Sequence, residues 1–112
     1  MPPPAPWQVW YADLNPVQGH EQGEARPVLV VSSRFHLRLT GGTLVTVLPL
    51  TTRERPTLLH RVPIVMKDGT TYAITEQVRT ISRQRLRGQP VVRLKPDEIA
   101  NVRETFMQML DL

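Results

Sequence analysis

Two stretches of this 112-residue chain hold residue types that could do chemistry together. The first, Glu21-Gln22-Gly23-Glu24-Ala25-Arg26-Pro27, closes a long polar segment and opens an apolar run, Val28 to Val31. Pro27 restricts Arg26 to extended backbone and brings no ladder donor of its own, so a strand begins there with a guanidinium at its mouth. The second stretch, Pro49-Leu50-Thr51-Thr52, ends another strand on two hydroxyls. If the two strands are neighbours, Arg26 and Thr51 face one cleft. Arginine carries a planar donor fork suited to phosphate and stays charged in a dry site. Spacing alone leaves a second reading equally open, in which Arg26 clasps Glu21 or Glu24 within its loop and Thr51 and Thr52 start a turn.

Other chemistries fare worse. The chain has no cysteine, which removes disulfides, thiolate zinc sites and a thiol nucleophile. Its three histidines, His20, His36 and His60, match no metal-ligand spacing and read as loop or surface residues. His20 beside Glu21 is the one histidine placed for acid–base work. No glycine-rich phosphate loop and no Gly-x-Ser-x-Gly elbow occurs, and Gly41-Gly42 is a turn signal only.

Charge agrees with an anionic partner. Fourteen Lys and Arg stand against ten Asp and Glu, a formal +4, and twelve of the fourteen are arginine. Residues 1–52 are neutral, residues 53–93 carry nine basic groups against three acids, and residues 95–112 are net negative. The middle block is where a polyanion would sit, unless it is simply a solvated basic face.

The elements that must position these residues are short. Trp7 to Ala12 reads as a first strand. Leu14 to Ala25 is a loop without periodicity, longer than most compact domains carry without a task for it. Val28 to Val31 is apolar on both faces and so central. Ser32-Ser33 caps a short helical turn through Leu39, and Thr43 to Leu48 forms a third strand whose regular pairing ends at Pro49. Val62, Ile64 and Met66 alternate into a hairpin turned at Asp68-Gly69 and returning through Thr71 to Ile74. Gln77 to Ser82 and Val91 to Leu94 are further extended pieces. Pro96 opens a helix to Asp111, about 24 Å long, with Ile99, Val102, Phe106, Met109 and Leu110 on its apolar side. The chain end, Met109 to Leu112, reads as packing. Pro2 to Pro6 reads as a disordered or polyproline-like tail (residues 1–6) before a single domain at 7–112. The expected fold is mainly β: five to seven strands closed into a barrel-like sheet with one C-terminal helix. No apolar run approaches the ~20 residues of a membrane span and the start lacks signal-peptide character, so a cytoplasmic protein is expected.

Three motifs then carry a resemblance. Val9-Trp10-Tyr11-Ala12-Asp13-Leu14-Asn15-Pro16, Gly19-His20-Glu21-Gln22-Gly23 and Arg26-Pro27-Val28-Leu29-Val30-Val31-Ser32 resemble the opening of the MazF/PemK toxins of type II toxin–antitoxin pairs. Pro49-Leu50-Thr51-Thr52 resembles their second motif, and Glu76-Gln77-Val78-Arg79-Thr80-Ile81 their third. The likeness runs from Trp7 through the terminal helix. It departs at His20, where relatives often have Ser, and at Gly23-Glu24-Ala25; both bear on sequence preference.

The resemblance implies a small SH3-like barrel of the MazF/PemK/CcdB type, a homodimer, and cofactor-free, metal-independent, sequence-specific cleavage of single-stranded RNA by its own 2′-hydroxyl. By the same resemblance Arg26 and Thr51 are the catalytic pair, with Arg26 clamping the scissile phosphate and Thr51 donating to a non-bridging oxygen. Glu21 is then the base or the group that orients Arg26. Arginine as a class holds its proton too tightly to be an efficient acid near neutrality, so charge stabilisation is the expected role of Arg26. His20, Gln22, Thr52, Gln77 and Arg79 are the expected RNA contacts. A cognate, MazE-like antitoxin would lay an acidic or amphipathic disordered segment into the same basic groove. Two rival classes share the fold: a gyrase-poisoning toxin acting through its C-terminal helix end, and an RNA-binding barrel without catalysis.

Overall fold

The computed structural model describes residues 2–14, 25–58 and 60–112. In chain order the elements are β1 (Gln8–Asp13), β2 (Ala25–Val30), α1 (Arg34–Leu39), β3 (Leu44–Thr51), β4 (Arg61–Met66), β5 (Gly69–Ile74), β6 (Arg79–Ser82), β7 (Leu86–Arg93) and α2 (Pro96–Met109). The strands form one sheet in the order β4-β5-β3-β2-β1-β7, with β6 beside β3, and every pairing is antiparallel. The organising strand is β3. One of its edges pairs with β2; the other pairs with β6 along residues 44–47 and with β5 at Leu50 and Thr51. Serving three neighbours curls the sheet into a half-barrel.

A core lies on each face. Val9, Leu29, Leu48, Leu50, Ile64 and Ala73 pack under Val102 of α2. Trp10, Ala12, Val28, Val30, Val45, Val47, Ile81 and Leu86 fill the other side. Successive β2 residues therefore enter opposite cores, which is why Val28-Leu29-Val30 is apolar without interruption.

Local departures from the expected elements have local causes. β1 starts at Gln8 rather than Trp7, because Trp7 is in the left-handed region at φ 67°. That costly backbone is held by Trp7 N–H to Val30 O (2.8 Å) and Leu94 N–H to Trp7 O (2.9 Å), with the Arg103 guanidinium 5.5 Å from the ring centre. β3 does not stop at Pro49. The proline falls where β3 changes partner from β6 to β5, and pairing continues to Thr51. The hairpin loop is Lys67-Asp68, one residue earlier than expected, since Met66 pairs directly with Gly69. Gly69, at φ 135°, opens the returning strand. Residues 75–77 form a 3-10 turn before β6, and β7 begins at Leu86, before the expected Val91. α2 ends at Met109, and its apolar side stops at Phe106. Met109, Leu110 and Leu112 are exposed, so the chain end is not packing.

Polar side chains bind the pieces. Glu98 of α2, only 7% exposed, accepts from Lys95 N–H (2.9 Å) and from Val65 N–H of the edge strand β4 (2.8 Å). One carboxylate thus caps the helix and tethers it to the sheet edge. Ser33 caps α1 by accepting from His36 N–H (3.0 Å). At the proline-rich start Pro4 is buried, and Ala5 N–H donates to Gln8 Oε1 (2.9 Å). Among the described residues no helix is long and apolar enough to cross a membrane.

Candidate functional site

The register of the sheet brings the two chemical stretches together. Val28 of β2 pairs with Pro49 of β3, and Arg26 and Thr51 lie two residues further along each strand in opposite directions. Continued by those two residues, the antiparallel register sets Arg26 opposite Thr51, and residues opposite one another project from the same face. Direct strand pairs extend the row: Thr51 faces Tyr72 of β5, Tyr72 faces Pro63 of β4, and Arg26 faces Ala12 of β1. Arg26 is exposed and Thr51 half-buried.

Thr51 is oriented. Its Oγ1 accepts from Arg53 N–H at 3.2 Å, which takes up a lone pair and leaves the hydroxyl hydrogen for an outside acceptor. Beside it the Tyr72 hydroxyl donates to Glu54 Oε2 at 2.6 Å. This bond, with burial and the negative charge of Glu54 adding to it, raises the Tyr72 pKa above the ordinary phenol value, so Tyr72 stays a donor at neutral pH.

The basic block 53–93 splits into two populations. Four arginines are tied into the fold: Arg87 pairs with Asp13 Oδ2 (3.3 Å), Arg85 donates to Asp13 O (3.1 Å), Arg83 to Pro2 O (3.5 Å) and Arg93 to Pro6 O (3.5 Å). The other four, Arg53, Arg55, Arg61 and Arg79, make no side-chain hydrogen bond or ion pair among the described residues. Arg61 faces Ile74, two residues from Tyr72, and Arg79 faces Val47, four residues from Thr51. Strand alternation puts both on the Arg26–Thr51 face. Arg61 Nε is buried there without a partner.

The remaining expected residues are placed as follows. Thr52 is exposed just beyond β3. Gln77 is exposed in the 3-10 turn that carries the chain from pairing with Thr51 to pairing with Val47. Glu76 of the third motif binds His60 Nε2 (2.8 Å), and His36 Nδ1 meets Ser32 Oγ (2.8 Å), so both histidines join structural contacts. His20, Glu21 and Gln22 lie outside the described residues.

Residues 5–110 match the model of the family described as PemK-like, MazF-like toxin of type II toxin-antitoxin system. The chain belongs to that family. It is 31% identical over 114 residues to the endoribonuclease MazF9 of Mycobacterium tuberculosis, covering 94% of each chain. It is also 31% identical over 107 residues to the endoribonuclease EndoA of Bacillus subtilis, covering 92% of this chain and 84% of EndoA. The MazF of Deinococcus radiodurans shares the fold, with a TM-score of 0.79 at 23% identity over the whole of both chains. A mycobacterial endoribonuclease solved in complex with its cognate antitoxin superposes with a TM-score of 0.78 at 25% identity over 97% and 96%. The SH3-like, mainly β toxin fold read from the motifs is therefore the fold this chain has.

Within this PemK/MazF-type toxin, sequence reasoning missed Glu54, Tyr72 and Arg61. Strand register places Tyr72 and Arg61, and the Tyr72 hydroxyl holds Glu54 beside them. Each stands in a loop or at an outward strand position, and nothing in its neighbourhood marks it until β5 is laid against β3.

Proposed function

We propose that the chain is the toxin of a type II toxin–antitoxin pair and acts as a metal-independent, sequence-specific endoribonuclease on single-stranded RNA. The observation that supports this reading is the β2–β3 register, whose Val28–Pro49 pair, continued by two residues, sets Arg26 opposite Thr51, with one Thr51 lone pair taken by Arg53 N–H. The endoribonuclease relatives add to it. In the proposed reaction the substrate 2′-oxygen forms a bond to phosphorus and the bond from phosphorus to the 5′-oxygen breaks. The products are a 2′,3′-cyclic phosphate and a 5′-hydroxyl. The 2′-hydroxyl proton leaves to a base, for which Glu21 is the candidate, and a proton reaches the departing 5′-oxygen. Since the substrate brings its own nucleophile, the protein's tasks are alignment and charge stabilisation. Arg26 binds the equatorial phosphoryl oxygens, and the Thr51 hydroxyl donates to one of them. Arg53, Arg55, Arg61 and Arg79 offer the flanking phosphates uncommitted cations, and Thr52 and Gln77 offer polar contacts.

The reading includes a homodimer and an antitoxin. Phe35, Leu39 and Leu44 are 66%, 70% and 42% exposed, on α1 and on β3, against which α1 packs. Exposed apolar side chains on neighbouring elements suit a self-complementary contact with a second copy. An acidic antitoxin segment would compete with RNA for the four uncommitted arginines. The test is incubation of the protein with a single-stranded RNA pool in EDTA, beside Arg26→Ala. Fragments with 5′-hydroxyl ends from the wild type alone are the expected result. Intact RNA overturns the reading: with inhibited supercoiling it points to a gyrase poison, and with tight RNA binding to an inert barrel.

A further inference from the structure

We infer that Glu54 and Tyr72 form a base-reading element beside the scissile phosphate, selecting a nucleotide with N–H donors on its Watson–Crick edge, guanine first and uracil last. The inference rests on the proposed endoribonuclease activity and goes beyond it to the choice of RNA word.

The placement is fixed by the sheet. Tyr72 is the direct cross-strand partner of Thr51, so their Cα atoms are about 5 Å apart and their side chains share a face. β3 and β4 flank Tyr72 on both sides, which makes it a rigid mount. Glu54 follows Thr51 by three residues, and the Tyr72 hydroxyl holds it at 2.6 Å. Arg53 and Arg55 adjoin it in sequence, yet neither pairs with it among the described residues. The carboxylate is therefore aimed by a phenol rather than neutralised by a guanidinium.

On a face that would bind a polyanion, such a carboxylate works against affinity through repulsion of phosphate. It offers acceptors instead, a chemistry that phosphate cannot use and a base edge can. An ionised carboxylate has about four lone-pair sites, and Tyr72 occupies one. Guanine presents two adjacent N–H donors, N1 and N2, which match two carboxylate oxygens side by side. Cytosine and adenine present one amino group. Uracil presents a single N–H between two carbonyl oxygens, both of which the carboxylate repels. The half-exposed Tyr72 ring adds an edge or face for the same base to lie against, as aromatic side chains do in single-strand recognition.

The experiment maps the 5′-hydroxyl ends made from a degenerate single-stranded RNA by the wild type, Glu54→Gln and Tyr72→Phe. The wild type is expected to enrich guanine at one position flanking the cut and to deplete uracil there. Glu54→Gln replaces an acceptor oxygen by a donor, and is expected to cut the guanine sites relative to the uracil sites by about ten- to a hundredfold less than the wild type. Tyr72→Phe keeps the ring and releases the carboxylate, and is expected to shift in the same direction by less. Circular dichroism of the variants, whose changes are at the surface, separates altered preference from misfolding. Unchanged base preference in Glu54→Gln, at whatever rate, overturns the inference and leaves the endoribonuclease reading standing. A preferred site with uracil on both sides of the cut does the same. Absence of cleavage by the wild type overturns that reading, and this inference with it.

Discussion

The seam between α2 and β4 and the row Arg26–Thr51–Tyr72 treat charge in opposite ways. At the seam, Glu98 is buried and both its oxygens are used, one on the helix end and one on the sheet edge. Along the row, Thr51 keeps a free donor, Glu54 keeps spare acceptors, and Arg61 and Arg79 on the same face have no partner among the described residues. Among the described residues two buried side-chain polar atoms lack a partner, and one of them, Arg61 Nε, is on the face of the row. Unmet hydrogen-bonding capacity costs stability, so a face that keeps it is a candidate for an outside ligand. The seam is finished by folding; the row is left open, which is what the proposed RNA-cleaving role requires.

That contrast is broken most directly at Arg26. Arg26→Ala should lower RNA cleavage by on the order of 10²–10³, the loss typical of one group that stabilises transition-state charge. Thermal unfolding should shift by no more than about 4 °C, because an exposed residue at a strand mouth adds little to the core. Cleavage kinetics on a fixed oligonucleotide and a melting curve check both halves. A large fall in melting temperature would mean that Arg26 belongs with Glu98 among the residues that hold the fold. Thr51→Val, which keeps shape and strand propensity, should cost about 10–100-fold in the same assay while Thr51→Ser retains most activity. Equal activity of all three forms would show that the hydroxyl is only a turn device.

How much of this was legible before the fold follows the same division. Apolar alternation and turn chemistry are local, so β2, the hairpin and α2 stand out from the residues alone. The three motifs gave the toxin fold by resemblance. Register is non-local. Pro49 looked like the end of pairing because a missing donor is a local fact, whereas the change of partner from β6 to β5 that accommodates it is not. The basic block likewise read as one surface; only tertiary placement shows Arg83, Arg85, Arg87 and Arg93 committed to carbonyls and Asp13. The apolar spacing of α2 runs on to Met109 and Leu110, past Phe106, the last of its residues packed on the core, and periodicity alone does not report where packing stops.

The seam supplies the converse test. Glu98→Ala leaves two backbone N–H groups without their acceptor and should destabilise by about 2–3 kcal/mol, lowering the melting temperature by roughly 10 °C, with the cleavage rate of the folded fraction unaltered. Glu98→Gln should also destabilise, since its amide turns a donor toward a donor at one of the two contacts. If Glu98→Ala melts like the wild type, the tether is not what holds α2 to the edge. Smaller still is the effect of a flanking cation. Arg79→Ala should weaken RNA binding by a few-fold regardless of sequence and reduce the slope of log affinity against log salt by about one, as removal of a single phosphate contact does. Arg87→Ala, which breaks the Asp13 clasp, should leave that slope alone.

The finest distinction concerns a proton. Tyr72 donates to Glu54, and the carboxylate disfavours the phenolate, so the folded-state pKa of Tyr72 lies above its unfolded value. Its contribution to stability is therefore present below the ordinary phenol value of about 10 and fades as pH rises through the higher folded value. Spectrophotometric titration of the phenols should show the Tyr72 transition moving to lower pH in Glu54→Gln, because the charge that opposed ionisation is gone. A transition that stays in place would mean the hydrogen bond is not populated in solution. The carboxylate would then not be aimed at all, and the row would hold Arg26 and Thr51 without a neighbour that reads bases.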